Sequence, residues 1–221
     1  MDSFIDIYCE RLGPGLLAEP INAITNLSFF IAASFCLHLA YKKDALDWRS
    51  GALITLVYII GTGSTLFHTT ATFWAMLSDA LPILFYQIVF LQVYSSRVIG
   101  LSCRYSSGLL ALFLLTVFMF GQLPSDWLNG SIGYFPALLF LYGLSYWHWR
   151  FASVEKNLML QASGIFTVSL FFRSIDMYVC DSLPLGTHFL WHILNGVVLY
   201  MTTRAFILNA QQNIKQSGSG A

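Results

Sequence analysis

Seven stretches of mostly apolar residues, each about the length of a membrane crossing, follow one another along this chain with only short connections between them. They lie at 20–41, 50–69, 76–96, 105–121, 131–149, 157–177 and 186–208. A helix that spans the hydrocarbon layer needs about 20 such residues. The fourth run is the least regular, because Gly121-Gln122-Leu123-Pro124 cuts it short. Composition agrees with the pattern. Only 10% of the residues are charged, against roughly 25% in a soluble domain, and the mean hydropathy is +0.66. The expected architecture is an all-α integral membrane protein, a seven-transmembrane helix bundle.

Orientation follows from the basic residues, which favour the cytoplasmic side of a membrane. The connections after the first, third and fifth runs, with the end of the seventh, hold Lys42, Lys43, Arg49, Arg97, Arg104, Arg150, Lys156, Arg204 and Lys215. The opposite side holds Arg11 and Arg173. This asymmetry predicts an N-out, C-in topology for a multi-pass protein. Residues 1–19 form an extracytoplasmic segment, 20–208 the seven-transmembrane domain and 209–221 a cytoplasmic tail. Within that tail, Ser217-Gly218-Ser219-Gly220-Ala221 reads as an appended linker. The stretch from Met1 to Ala18 contains acids and lacks a basic-then-apolar layout, so it does not read as a signal peptide. Formal net charge is zero; no basic stripe exists to meet phosphates, and nucleic acid is not an expected partner.

Against this apolar background a few polar residues stand out. Gly61-Thr62-Gly63-Ser64-Thr65-Leu66-Phe67-His68 closes the second run, Asp79 opens the third, and His188-Phe189-Leu190-Trp191-His192 opens the seventh. A spacing of four places Ser64 with His68, and His188 with His192, on one helix face. The predicted topology puts His68, Asp79, His188 and His192 in the same extracytoplasmic half, although more than a hundred positions separate them. Three imidazoles from two helices can hold one zinc ion and leave its fourth position to water, and polar residues inside a bilayer tend to mark function. Beside such a metal, Asp79 suits proton transfer. Ser64 has two readings: a small residue that lets helices approach, as Gly61 and Gly63 do, or a hydroxyl that steadies water or an oxyanion.

Other features have structural readings. Pro82 is expected to kink the third span, and Trp191, between the two histidines in sequence, reads as a packing or interfacial residue. Arg173 and Asp176, three apart, read as an ion pair near the outer surface. His38 and His148 read as helix-to-helix hydrogen-bonding residues. Cys9 and Cys180 both fall on the extracytoplasmic side, where disulfides persist; Cys36 and Cys103 do not.

The chain resembles the alkaline ceramidases, part of a membrane hydrolase superfamily that also contains the adiponectin and progestin receptors. The similarity is carried by Tyr8-Cys9-Glu10, the block from Glu19 through Asn26, the block from Gly61 through Thr69, Asp79-Ala80-Leu81-Pro82, the block from Asp176 to Cys180, and His188 to His192. What the resemblance implies is zinc on His68, His188 and His192, with Asp79 and Ser64 as catalytic residues around the metal water. It also implies a disulfide between Cys9 and Cys180, and calcium held by the Tyr8 carbonyl, Glu10, position Leu12 and Glu19. Here the sequence departs from the family pattern. The family has an acid before the aromatic residue and a polar side chain two after the glutamate, whereas this chain has Ile7 and Leu12. The implied activity is zinc-dependent hydrolysis of ceramide, or of a ceramide-like N-acyl lipid, to a fatty acid and a sphingoid base. The rival readings are a seven-span receptor or lipid-binding protein with a structural metal, a hydrolase of another lipid amide or ester, and a transporter.

Overall fold

The computed structural model describes residues 4–124 and 126–218. Among them there are only helices and connections, and no strands. The helices are α1 (Pro20–Thr25), α2 (Leu27–Lys42), α3 (Trp48–Thr70), α4 (Phe73–Tyr94), α5 (Cys103–Phe120), α6 (Phe135–Phe151), α7 (Leu158–Ile175) and α8 (His188–Gly218). Residues 219–221 of the linker-like tail lie outside the described residues.

Six segments are long and apolar enough to cross a membrane: Pro20–Lys42, Trp48–Thr70, Phe73–Ile99, Cys103–Phe120, Leu158–Tyr178 and His188–Ala210. The expected run at 131–149 folds differently. A 3-10 turn at Ser131–Tyr134 leads into α6, which has Pro136 in its first turn and is 17 residues long. At about 1.5 Å of rise per residue, α6 alone falls a little short of the hydrocarbon thickness.

Local chemistry sets the helix ends. Pro20 starts α1 at a position where a missing N–H costs nothing. Asp47 caps α3 by accepting from the Arg49 and Ser50 amides, and the Asp47 amide in turn donates to the Ser50 hydroxyl oxygen. Ala71, in the left-handed region at φ 48°, ends α3. The chain turns there, and Thr72 precedes the first residue of α4. α4 runs through Pro82 without a break and passes into a π turn at Ser95–Ile99, which Gly100 closes at φ 81°.

In the bundle, α3 packs between α2 and α4, α8 between α2 and α7, and α6 against α7. α5 rests lightly on α6 and α4 and is mostly exposed. α3 and α8 are the most enclosed spans, so the residues they carry inward are the best shielded. Small residues permit the tightest approaches. A Cβ on Gly61 would meet the Phe30 ring at 2.9 Å, and one on Gly196 would meet Ser28 at 2.8 Å. At Gly63 it would collide with the Ser78 carbonyl oxygen of α4. That carbonyl is free because its helical partner would be the nitrogen of Pro82, which has no hydrogen. Pro82 and Gly63 together let α3 and α4 touch backbone to backbone.

The N-terminal tail folds over the end of the bundle where α3 stops and where α4 and α8 begin. The Ile5 amide bonds the Ala71 carbonyl at 2.8 Å. Cys9 is bridged to Cys180, with the Cα atoms 5.3 Å apart.

Candidate metal centre

His68 lies in the last turn of α3, and His188 and His192 lie in the first two turns of α8. All three imidazoles are buried. One potential ligand atom from each lies within 4.8 Å of the others. Among the described residues, no other group of three or more His, Cys, Asp or Glu side chains converges in this way.

The hydrogen bonds around the rings fix which nitrogens are free. His68 Nδ1 lies 2.6 Å from Glu19 Oε2. A carboxylate only accepts, so Nδ1 carries the proton and Nε2 is left with a lone pair. His192 Nδ1 lies 3.0 Å from Thr25 Oγ1, whose own proton goes to the Ile21 or Asn22 carbonyl. His192 Nδ1 is therefore also the donor. His68 Nε2, His188 Nδ1 and His192 Nε2 are all buried without a hydrogen-bond partner. An unsatisfied polar atom away from water costs free energy, and three of them facing one another fit a bound cation. Imidazole nitrogens suit zinc among the common divalent metals.

Glu19 anchors this arrangement. It accepts from Arg11 Nε at 2.5 Å and from Asn22 Nδ2 at 3.1 Å, besides its bond to His68. Arg11 is buried as well and donates to the His68 carbonyl at 3.0 Å. Burial alone would raise the Glu19 pKa, but His68 and Arg11 hold it below the usual carboxylate value. Glu19, Asn22 and Thr25 recur at intervals of three, which puts them on one face of α1.

Ser64 is buried one turn before His68, and Asp79 is half-buried in the second turn of α4. Ser64 and His68 are both electrostatic neighbours of the Asp79 carboxylate. The contact between Gly63 and Ser78 is what brings these two helices to that separation. An apolar cavity opens among α2, α4, α6, α7 and α8; its lining includes Phe29, whose ring lies 6.3 Å from that of His192, with Phe90, Tyr134, Phe166 and Trp191. The five residues predicted from sequence, Ser64, His68, Asp79, His188 and His192, thus meet at one end of the bundle.

The residues expected to hold calcium do other things. Glu10 accepts from the Ile21 and Asn22 amides at 2.6 and 2.8 Å and so caps α1. Glu19 serves His68 and Arg11. Leu12 is 89% exposed, and Tyr8 is buried with its ring stacked on His188, centroids 3.6 Å apart. Both carboxylates are engaged elsewhere, and the structure gives calcium no support.

A model of the Ceramidase family matches residues 8–219, nearly the whole chain. The chain belongs to the ceramidase family. Membership implies a membrane hydrolase that acts on an amide bond, with a lipid as its substrate. It also places the histidine cluster, which could hold a metal ion, inside the family's matched region.

Several residues of this ceramidase-family site escaped the sequence reading. Arg173 and Asp176 do not pair. Arg173 Nη1 donates to the Asn129 carbonyl at 2.7 Å and to Ser131 Oγ at 3.0 Å. The Asp176 carboxylate accepts from the amides of Cys9, Thr187 and His188 at 3.1, 2.6 and 2.9 Å. It therefore pins the tail, at the bridged Cys9 itself, to the start of α8. Gly186, at φ 67°, leaves room for that carboxylate, which a Cβ would strike. The run of acids and the Cys-Glu pair in the tail were visible signals; their partners were not.

Proposed function

We propose that this protein is an intramembrane zinc amidase that hydrolyses ceramide or a ceramide-like N-acyl lipid to a free fatty acid and a sphingoid base. The observation that carries the reading is the set of three partnerless imidazole nitrogens brought together beside Ser64 and Asp79, with an apolar cavity whose lining residue Phe29 lies against the His192 ring. Family membership supports the amide bond and the lipid substrate. His68, His188 and His192 would hold the metal. A zinc ion bound there would supply Lewis acidity to the acyl carbonyl and bring the pKa of water toward ~7.

The chain's own groups account for the rest. The apolar cavity takes the acyl chain and excludes water from it. Asp79, steadied by the Ser64 hydroxyl, removes a proton from the attacking water as its oxygen bonds to the acyl carbon. The carbon–nitrogen bond then breaks, and Asp79 returns that proton to the departing nitrogen. Water is split between the products, hydroxyl to the acyl group and hydrogen to the amine. Asp79 ends as it began.

The distribution of basic residues supports an N-out orientation, with α6 and the turn before it as a seventh crossing. The site then lies in the extracytoplasmic half. A disulfide at the same end of the bundle suits an oxidising compartment.

The test is fatty-acid release from a panel of N-acyl lipids by purified protein, with metal content measured on the same sample. Wild type should carry about one zinc per chain and turn over at least one member of the panel. Asp79→Ala should keep the metal and lose turnover by about 10²–10⁴-fold. A stoichiometric metal with no turnover on any amide or ester lipid would instead favour a receptor or a lipid-binding protein.

A further inference from the structure

The amidase reading leaves one charged group at the site without a task. Arg173, near the end of α7, is only 8% exposed. It donates to the Asn129 carbonyl and to the Ser131 hydroxyl, and its guanidinium lies over the rings of Tyr134 and Trp191 at 5.1 and 5.6 Å. The phenol of Tyr8 is among its electrostatic partners. All these partners are neutral. Among the described residues, no carboxylate lies within ion-pair distance of Arg173. Asp79 interacts with it electrostatically without pairing. A charge enclosed in this way is costly when unpaired, and inside a membrane protein it points to function.

Its position says which function. Tyr134 and Trp191, the two rings beneath the guanidinium, also line the apolar cavity. Tyr8, its electrostatic partner, stacks on His188 with an interplanar angle of 18° and lies 5.3 Å from the His68 ring. Arg173 therefore stands at the junction between cavity and histidine cluster, where the polar end of an acyl chain lying in the cavity would come to rest. Arginine has N–H donors and no acceptor, so toward Arg173 the Tyr8 phenol can act only as an acceptor. The Tyr8 O–H proton is left to donate to another group.

We infer that Tyr8 and Arg173 form a subsite for an anionic oxygen. Arg173 positions and polarises the Tyr8 hydroxyl. That hydroxyl donates a hydrogen bond to the acyl carbonyl oxygen as negative charge develops on it, and then to the carboxylate of the fatty-acid product. Tyr8 is a catalytic residue in this scheme and Arg173 a positioning residue. The rate effect rests on the amidase reading; the carboxylate preference needs only the cavity.

Two measurements on the full-length protein in detergent test the subsite. In the metal-loaded protein, Tyr8→Phe keeps the ring stack and deletes one donor. It should lower kcat for fatty-acid release by about 10²-fold while KM stays within about twofold. Arg173→Gln should follow it, and Arg173→Lys should recover part of the loss. In metal-free protein, calorimetric titration compares a long-chain fatty acid with the alcohol of equal chain length. Wild type should prefer the carboxylate by about 10-fold or more. Tyr8→Phe and Arg173→Gln should lose that preference and still bind the alcohol, which shows that they are folded. A wild-type kcat in Tyr8→Phe, or an unchanged carboxylate preference in Arg173→Gln, overturns the inference. If wild type released no fatty acid from any lipid but showed the carboxylate preference, and Arg173→Gln abolished it, the amidase reading would fall and the subsite would stand.

Discussion

A ligating imidazole depends on the group that holds its far nitrogen. Glu19, 2.6 Å from His68 Nδ1, fixes the tautomer and aims Nε2 at the other two rings. Glu19→Gln keeps the shape and removes the charge. Metal affinity should fall by about 10–100-fold, read by competition with a chromophoric chelator; an unchanged affinity would remove Glu19 from the metal's support. His188→Ala with His192→Ala should abolish binding altogether. The three histidines were legible because an imidazole in an apolar helix has few reasons to be there. The role of Glu19 was not: the resemblance reads it as a calcium ligand, and its contact with His68 depends on α1 turning in over the end of the bundle. Arg173 and Asp176 misled for a different reason. Their spacing of three matches neighbouring side chains only within a continuous α-helix. α7 gives way at Asp176 to a 3-10 turn, Asp176–Tyr178, which directs the carboxylate toward the backbone of the tail and of α8.

Between elements, the contact that decides the site is that of α3 with α4. Asp79 meets Ser64 only because Gly63 admits the Ser78 carbonyl, and that carbonyl is available only because Pro82 cannot bond to it. Gly63→Ala would place a methyl group on this oxygen and force the helices apart. Overpacking of this kind costs about 1–3 kcal/mol, so thermal unfolding in detergent should shift downward. Activity should fall further than stability, because Asp79 moves from both Ser64 and the histidines. Gly51→Ala is the control: nothing lies within 4 Å of a Cβ there, and neither measurement should change. The glycines and the proline were plain in the sequence as helix-packing residues. Their joint effect was not, since it needs the register of one helix against the other. The same limit applies to α6, where an apolar run of spanning length divides into a 3-10 turn and a shorter helix.

For the whole molecule, a helical membrane bundle was legible from apolar run length alone, and the placing of the histidines, Ser64 and Asp79 at one end followed from alternating the direction of successive helices. Closure of that end was not legible, since it depends on contacts made by the tail. The Cys9–Cys180 bridge joins residues 171 apart, which in water would correspond to about 5 kcal/mol of loop entropy. In a bilayer the unfolded chain keeps its helices near one another, so the gain is smaller. Cys9→Ser with Cys180→Ser should therefore leave the bundle folded, lower its melting temperature by a few degrees and speed metal loss to a chelator, because Tyr8 and the Asp176 contacts are freed with the tail. Topology can be checked with a native residue. Cys103 is exposed at the start of α5, beside Arg97 and Arg104, whereas Cys36 is buried. An N-out protein places Cys103 in the cytoplasm. A membrane-impermeant maleimide should therefore label it in inverted vesicles and not in intact cells. Labelling from outside the cell would reverse the orientation and move the histidine cluster to the reducing side, where a bridge between Cys9 and Cys180 would not persist.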